Sequence, residues 1–171
     1  LTIDINLQRE VERIIGEQMI RAKNEPNTEF YDHSSVIIQD PRNGEILAMA
    51  SKKLVNGEIR DNINSVLMQP ITPGSVVKGA SILVGYNTGA LKIGEVRNDA
   101  CTKIAATPLK CSFRAYGNIN DIEALKYSSN VFQYKTAIKV GGGKYCYNCK
   151  LNLNPQVFDI YRGTFYQFGL G

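Results

Sequence analysis

A turn sequence at residues 40–44, Asp-Pro-Arg-Asn-Gly, separates two short apolar segments and predicts a β-hairpin in this part of the chain. Residues 36–38 are typical of a buried strand, and residues 45–51 alternate between apolar and polar as its partner. Residues 7–19 instead carry apolar side chains at helical spacing, with Asp4 or Asn6 as a possible cap. Residues 54–72 look irregular. A hairpin beside helices predicts a mixed α/β fold, with helices packed on a mainly antiparallel sheet.

The size and composition are those of a soluble globular protein. The 171 residues are 43% hydrophobic and 21% charged, which is enough for one domain with a real core. The net charge is +4, and the basic residues are scattered, without a Lys/Arg run or interleaved aromatic residues. We therefore expect a single domain over residues 1–171 and no nucleic-acid partner.

Residues 73–78, Pro-Gly-Ser-Val-Val-Lys, place a hydroxyl and an amine three positions apart at a predicted helix start. Thr72 could cap this helix, and Pro73 suits its first turn. Ser75 and Lys78 would share one helical face, and a buried lysine that loses its proton can act as a base for a serine nucleophile. The spacing also arises by chance on solvated helices, so it needs support from elsewhere in the chain.

A second polar cluster lies between two predicted helices, shortly after an Asn-x-x-Glu capping box at residues 120–123. Ser128 could pass a proton to a leaving group, and the Asn130 amide could hold Lys78 and bind a substrate peptide group. The simpler interpretation is a helix junction capped by serine. Together with Ser75 and Lys78, however, the cluster follows the pattern of serine enzymes that react with penicillin.

The chain resembles the transpeptidase domain of class B penicillin-binding proteins. Five segments match the family in its order: residues 1–8 (TID..LQ), 40–49 (DP..GEILAM), 73–78 (PGSVVK), 124–131 (AL..SSNV) and 168–171 (FGLG). The resemblance implies a penicillin-binding/β-lactamase-like transpeptidase fold. It covers nearly the whole chain, and five ordered matches are far more specific than any one of them.

The resemblance also implies a chemistry and a location. Ser75 would attack the penultimate D-alanine carbonyl of a peptidoglycan stem peptide, with Lys78 as general base. Ser128 would relay the proton to the departing D-alanine, and Asn130 would position Lys78 and the substrate. β-Lactam antibiotics would trap Ser75, and no cofactor is expected. The parent protein would be anchored in the bacterial cell membrane, with this domain outside the cytoplasm and cell-wall synthesis proteins as partners.

The family's third motif, Lys-Thr/Ser-Gly, normally lies well downstream on an edge strand, and we do not find it here. Lys135-Thr136-Ala137 is a poor substitute, because it lies in a helical stretch and lacks the glycine. We therefore expect a truncated domain, weakly active or inactive alone, because losing one oxyanion-hole donor costs about 100- to 1000-fold in rate. An uncovered hairpin edge could lead to a dimer of the fragment.

Four cysteines have no evident place in the family pattern. Cys146 and Cys149 form a Cys-x-x-Cys pair in a polar loop, and Cys101 and Cys111 could complete four zinc ligands if the fold brings them close. We expect free thiols, with disulfides or a zinc site as the alternatives.

Two other functions compete with the transpeptidase. A β-lactamase or β-lactam sensor shares the Ser-x-x-Lys chemistry, but nothing here identifies the base that fast acyl-enzyme hydrolysis requires. A non-catalytic cell-wall scaffold would need none of Ser75, Lys78, Ser128 and Asn130, and all four are present.

Overall fold

The computed structural model describes residues 2–170, and the chain divides into two compact units with the boundary after Thr72. Leu1 of the first family segment and Gly171 of the last lie outside the described residues. Within residues 2–170 no helix has the length and apolar character needed to cross a membrane.

The first unit is a three-stranded antiparallel sheet with two helices. Its elements are α1 (Ile5–Lys23), β1 (His33–Gln39), β2 (Ile46–Val55), β3 (Glu58–Asp61) and α2 (Asn64–Met68). The strand order is β1-β2-β3, and Val36 lies opposite Ala50. The hairpin predicted around residues 40–44 is therefore confirmed.

The prediction that residues 54–72 are irregular is wrong, because they contain β3 and α2. Val55 pairs with Glu58 across a two-residue turn, and both turn residues, Asn56 and Gly57, have positive φ of 52° and 85°. Asn-Gly is the strongest short-range hairpin signal, so the sequence did contain the information for β3.

Helix α1 packs on the sheet through one apolar stripe. Asp4 caps it, since its Oδ1 accepts hydrogen bonds from the backbone N–H groups of Asn6 (2.9 Å) and Leu7 (3.1 Å). The buried residues of the helix pack against two alanines of β2, whose small side chains allow close approach: Val11, Ile15 and Met19 against Ala48 and Ala50. Residues 36–38 are not fully buried as predicted, because Ile37 on the other face of β1 is half exposed.

The second unit is mainly helical. It contains a 3₁₀ turn (Gly74–Val77), α3 (Lys78–Asn87), β4 (Arg97–Asn98), β5 (Asn118–Ile119), α4 (Asp121–Lys126), α5 (Asn130–Val140) and α6 (Val157–Gln167). Helix α3 packs against α4, α5 and α6. The hydrophobic core of the second unit comprises Ile82, Leu91, Ile119, Ala124 and Phe132. The predicted capping box is confirmed, with Asn120 and Glu123 bonded reciprocally at the start of α4.

The prediction of free thiols is wrong, and so is the zinc alternative. Cys101 is bonded to Cys111 and Cys146 to Cys149, so none of the four has the thiolate that a zinc ligand requires. Two backbone hydrogen bonds of 2.8 Å pair Thr102 with Lys110, which leaves the adjacent Cys101 and Cys111 with Cα atoms 4.4 Å apart. The Cα atoms of Cys146 and Cys149 are 5.5 Å apart, also within disulfide range.

Candidate active site

Ser75 and Lys78 lie one 3₁₀ turn apart. Residues at i and i+3 lie above one another in a 3₁₀ helix, and the Lys78 N–H donates to the Ser75 carbonyl. The predicted Thr72 cap is wrong. The turn follows Pro73 without a side-chain cap, and α3 begins only at Lys78, six residues beyond Thr72.

The Lys78 amine is held by two residues far along the chain. Its Nζ lies 2.6 Å from the Ser128 carbonyl oxygen, 3.0 Å from Ser128 Oγ and 2.7 Å from Asn130 Oδ1. The Asn130 Nδ2 donates to the Cys111 carbonyl at 3.4 Å, which fixes the orientation of the amide. Burial lowers the pKa of the Lys78 amine, and the negative charge of Asp99 opposes part of that shift. A lowered pKa favours the neutral amine that a general base requires.

These three contacts have different consequences for the two protonation states of Lys78. A protonated amine has three donors and can donate to all three oxygens. A neutral amine has two donors and a lone pair, and among the three partners only the Ser128 hydroxyl can donate a proton to it. The geometry therefore allows proton exchange between Lys78 and Ser128, while the carbonyl of Ser128 and the amide of Asn130 keep the amine in place.

The segment at residues 128–130 forms a compact junction between α4 and α5. The Ser128 N–H donates to the Leu125 carbonyl and the Ser129 N–H to the Ala124 carbonyl, which is the pattern of a Schellman motif ending α4. Ser128 takes the left-handed position of this motif, with φ of 53°, where glycine is usual. Ser129 then caps α5, since its Oγ accepts from the Phe132 N–H at 2.9 Å. The segment thus caps α5 and also contacts the Lys78 amine.

Two buried polar residues behind this junction, Asp99 and Ser112, were not predicted from the sequence. Ser112 Oγ accepts from the backbone N–H groups of Asn130 (3.0 Å) and Val131 (3.2 Å), and it donates to Asp99 Oδ1 at 3.0 Å. Asp99 is only 2% exposed. Both residues come from a stretch with little regular structure, where no periodicity distinguishes a buried polar group from a solvated one. The flanking Cys101 and Cys111 were the one available sign that this stretch is fixed.

The structure brings together three of the four predicted site residues. Lys78, Ser128 and Asn130 are hydrogen-bonded to one another through Lys78. Ser75 is exposed and adjacent through the 3₁₀ turn, and its hydroxyl is not among the hydrogen-bond partners of the amine. Apo sites often have such open contacts before substrate binds. The catalytic roles of the four residues stay predictions.

Comparison with known proteins identifies the family and the fold of this chain. Residues 34–158 match the family described as the penicillin binding protein transpeptidase domain. The chain belongs to this family, and its relatives indicate that it is a class B member. It is 42% identical to penicillin-binding protein 2A and 33% identical to penicillin-binding protein H, both from Bacillus subtilis (strain 168), with 100% of the chain aligned in each case.

Solved structures of the family have the same fold. The structure of penicillin-binding protein 2B from Streptococcus pneumoniae (strain 5204) aligns with 100% of this chain and 30% of its own length, at 26% identity and a TM-score of 0.94. The predicted mixed fold of the penicillin-binding type is thereby confirmed. The chain spans about a quarter of the length of the curated relatives, 25% and 24% of the two from Bacillus subtilis.

Proposed function

We propose that this chain is part of a peptidoglycan D,D-transpeptidase and a target of β-lactam antibiotics. The observation that carries the proposal is the convergence of Ser128 Oγ and Asn130 Oδ1 on the Lys78 amine, one 3₁₀ turn from Ser75. Membership of the penicillin-binding transpeptidase family supports it. We assign both compact units, residues 1–171, to one partial transpeptidase domain.

The proposed reaction has two transfers. Neutral Lys78 takes the Ser75 proton while Ser75 Oγ attacks the carbonyl of the penultimate D-alanine. The proton then passes from Lys78 through Ser128 to the departing D-alanine, and the peptide remains bound to Ser75 as an ester. The amino group of a second stem peptide attacks this ester, which restores the Ser75 hydroxyl and forms the cross-link. A β-lactam acylates Ser75 in the same way.

Both disulfides support a location outside the cytoplasm, because such bonds persist mainly in oxidising compartments. We propose an extracytoplasmic domain of a membrane-anchored protein, whose partners are stem peptides and cell-wall synthesis proteins.

Acylation by a fluorescent penicillin tests the function. We expect the full-length gene product to form one long-lived adduct, located on Ser75 by peptide mapping and intact mass, and Ser75→Ala to form none. Ser81→Ala, which changes a half-buried serine of α3 whose hydroxyl donates to the Val77 carbonyl, is the matched control and should label like the wild type. Rapid turnover of nitrocefin would favour a β-lactamase instead. Partner binding without any adduct would favour a scaffold.

A further inference from the structure

The side chain of Asp99 is the centre of a buried hydrogen-bond network in the second unit. Its Oδ1 accepts from the hydroxyls of Ser112 (3.0 Å) and Ser129, and its Oδ2 accepts from the Tyr116 N–H at 3.4 Å. Asp99 is 2% exposed, Ser112 is 8% exposed and Ser129 is fully buried. A carboxyl group removed from water in this way requires hydrogen-bond partners, and here the two serines provide them.

The two serine hydroxyls use their remaining hydrogen-bonding capacity on the first turn of α5. Ser112 accepts from the N–H groups of Asn130 and Val131, and Ser129 accepts from the N–H of Phe132. A helix leaves its first N–H groups without partners inside the helix, so these contacts fix where α5 begins. Each hydroxyl has a single proton. By accepting both protons, Asp99 turns the lone pairs of the two oxygens toward the helix.

The first residue of α5 is Asn130, whose Oδ1 accepts from Lys78, and the residue before the capping serine is Ser128. Any displacement of the start of α5 therefore changes the distances from Lys78 to both of its partners. We propose that Asp99 is a positioning residue of this site, acting through Ser112 and Ser129 to hold Ser128 and Asn130 against Lys78. The inference rests on the function proposed above, because its consequence is the rate at which Ser75 is acylated.

Asp99 also influences the site through its charge. Its negative charge raises the pKa of two lysines, Lys78 and Lys135, whereas the charge of Arg97 lowers the pKa of Lys135. Arg97 is itself paired with Glu95, and the Lys135 Nζ donates to the Asn98 carbonyl at 2.6 Å. Replacing Asp99 with a neutral residue should therefore lower the pKa of Lys78 further, and the neutral base should form at lower pH. A purely structural role would leave this pH dependence unchanged.

Two substitutions of Asp99 separate the effect of its hydrogen bonds from the effect of its negative charge. Asp99→Ala removes the acceptor as well as the charge, and we expect acylation by fluorescent penicillin to slow by roughly 10- to 100-fold, by analogy with the loss of hydrogen-bond partners that orient metal ligands. Asp99→Asn keeps one acceptor oxygen for the serines. It should acylate more nearly at the wild-type rate, with the acid limb of the pH–rate profile moved to lower pH. Asp159→Asn, an exposed acid of α6 paired with Arg162, is the matched control.

The experiment uses the full-length gene product, with circular dichroism to check folding. If the wild type is acylated and both Asp99 variants have its rate and its pH profile, this inference is overturned and the proposed function is not. If Asp99→Ala does not fold, the pH profile of Asp99→Asn decides, and an unmoved acid limb would overturn it. If the wild type is not acylated at all, both this inference and the proposed function fail. A double-mutant cycle of Asp99→Asn with Ser112→Ala should be non-additive, because the two residues act through one hydrogen bond, and additive effects would contradict the proposed route.

Discussion

The backbone conformation of Ser128 favours glycine, whereas one of its contacts with Lys78 requires a hydroxyl side chain. Its backbone has a positive φ of 53°, a conformation that costs a non-glycine residue about 1 kcal/mol or more. Its carbonyl and its hydroxyl both contact the Lys78 amine. Strain of this kind is tolerated where a side chain is needed for function. Glycine would satisfy the backbone here but would remove the hydroxyl that contacts the Lys78 amine.

Substituting Ser128 should therefore separate stability from activity. We expect Ser128→Gly to be more stable than Ser128→Ala by about 1 kcal/mol, because only glycine relieves the left-handed backbone. Both variants lose the hydroxyl and should acylate about 100-fold more slowly or worse, as expected for a lost proton-transfer group. Chemical denaturation and labelling with fluorescent penicillin measure the two effects. Equal stability of the two variants would contradict the strain argument, and wild-type labelling by either one would contradict the role of the hydroxyl.

At the scale of elements, the packing of α3 depends on a glycine on its buried face. A Cβ added at Gly85 would lie 2.8 Å from Thr136 Cγ2 on α5 and 2.9 Å from Leu91 Cβ. Gly79 belongs to the same helix, but a Cβ there would have no neighbour within 4 Å. Close packing therefore requires a glycine at position 85 but not at position 79, although both glycines are poor helix formers.

We expect Gly85→Ala to lower the free energy of unfolding by about 1–3 kcal/mol, because overpacking outweighs the gain in helix propensity. Gly79→Ala should leave stability unchanged or raise it by up to about 1 kcal/mol. Thermal unfolding of both variants beside the wild type is the measurement. A Gly85→Ala variant as stable as Gly79→Ala would mean that α3 and α5 are less tightly packed than the structure indicates.

The elements that could be predicted from the sequence are those with a local signal. The apolar period of α1, the turn at residues 40–44 and the capping box at Asn120 each act within a few residues, and each was found.

The network of Asp99, Ser112 and Ser129 joins positions 13 to 30 residues apart, so no local pattern reveals it. For the same reason the disulfides were missed: they depend on the pairing of Thr102 with Lys110 and on the path of a loop. The site residues themselves were found through two short motifs, but the 3₁₀ turn and the left-handed serine that orient them were not.

At the scale of the whole molecule, every carboxyl group with a clear pKa shift among residues 2–170 is shifted downward. These groups are Glu10, Asp32, Asp40, Glu95 and Asp121. A carboxyl with a lowered pKa in the folded state stabilises the fold above its unfolded pKa and loses that contribution as the pH falls. Acid should therefore destabilise this protein.

Glu95 should make the clearest contribution to this acid sensitivity. Burial acts to raise its pKa, but hydrogen bonds from the Lys92 N–H, Lys139 and Arg97 outweigh burial and lower it to about 2. The free energy of unfolding should fall as the pH drops from the ordinary value of 4.5 toward about 2, and Glu95→Gln should flatten this fall. Denaturation at a series of pH values gives the slope, with Glu29→Gln, a change of an exposed side chain, as the control. Parallel slopes for Glu95→Gln and the wild type would contradict the prediction.

The Cys101–Cys111 disulfide has a consequence for the order in which the site is assembled. The two cysteines are only ten positions apart, and both precede residues 128–130 in the chain. A chain that folds from its N-terminal side can close this bond before the Ser-Ser-Asn segment has folded. Closing it brings together the two segments that contain Asp99 and Ser112. Helix α5, which carries Asn130, then forms against Asp99 and Ser112, whose side chains are already in place.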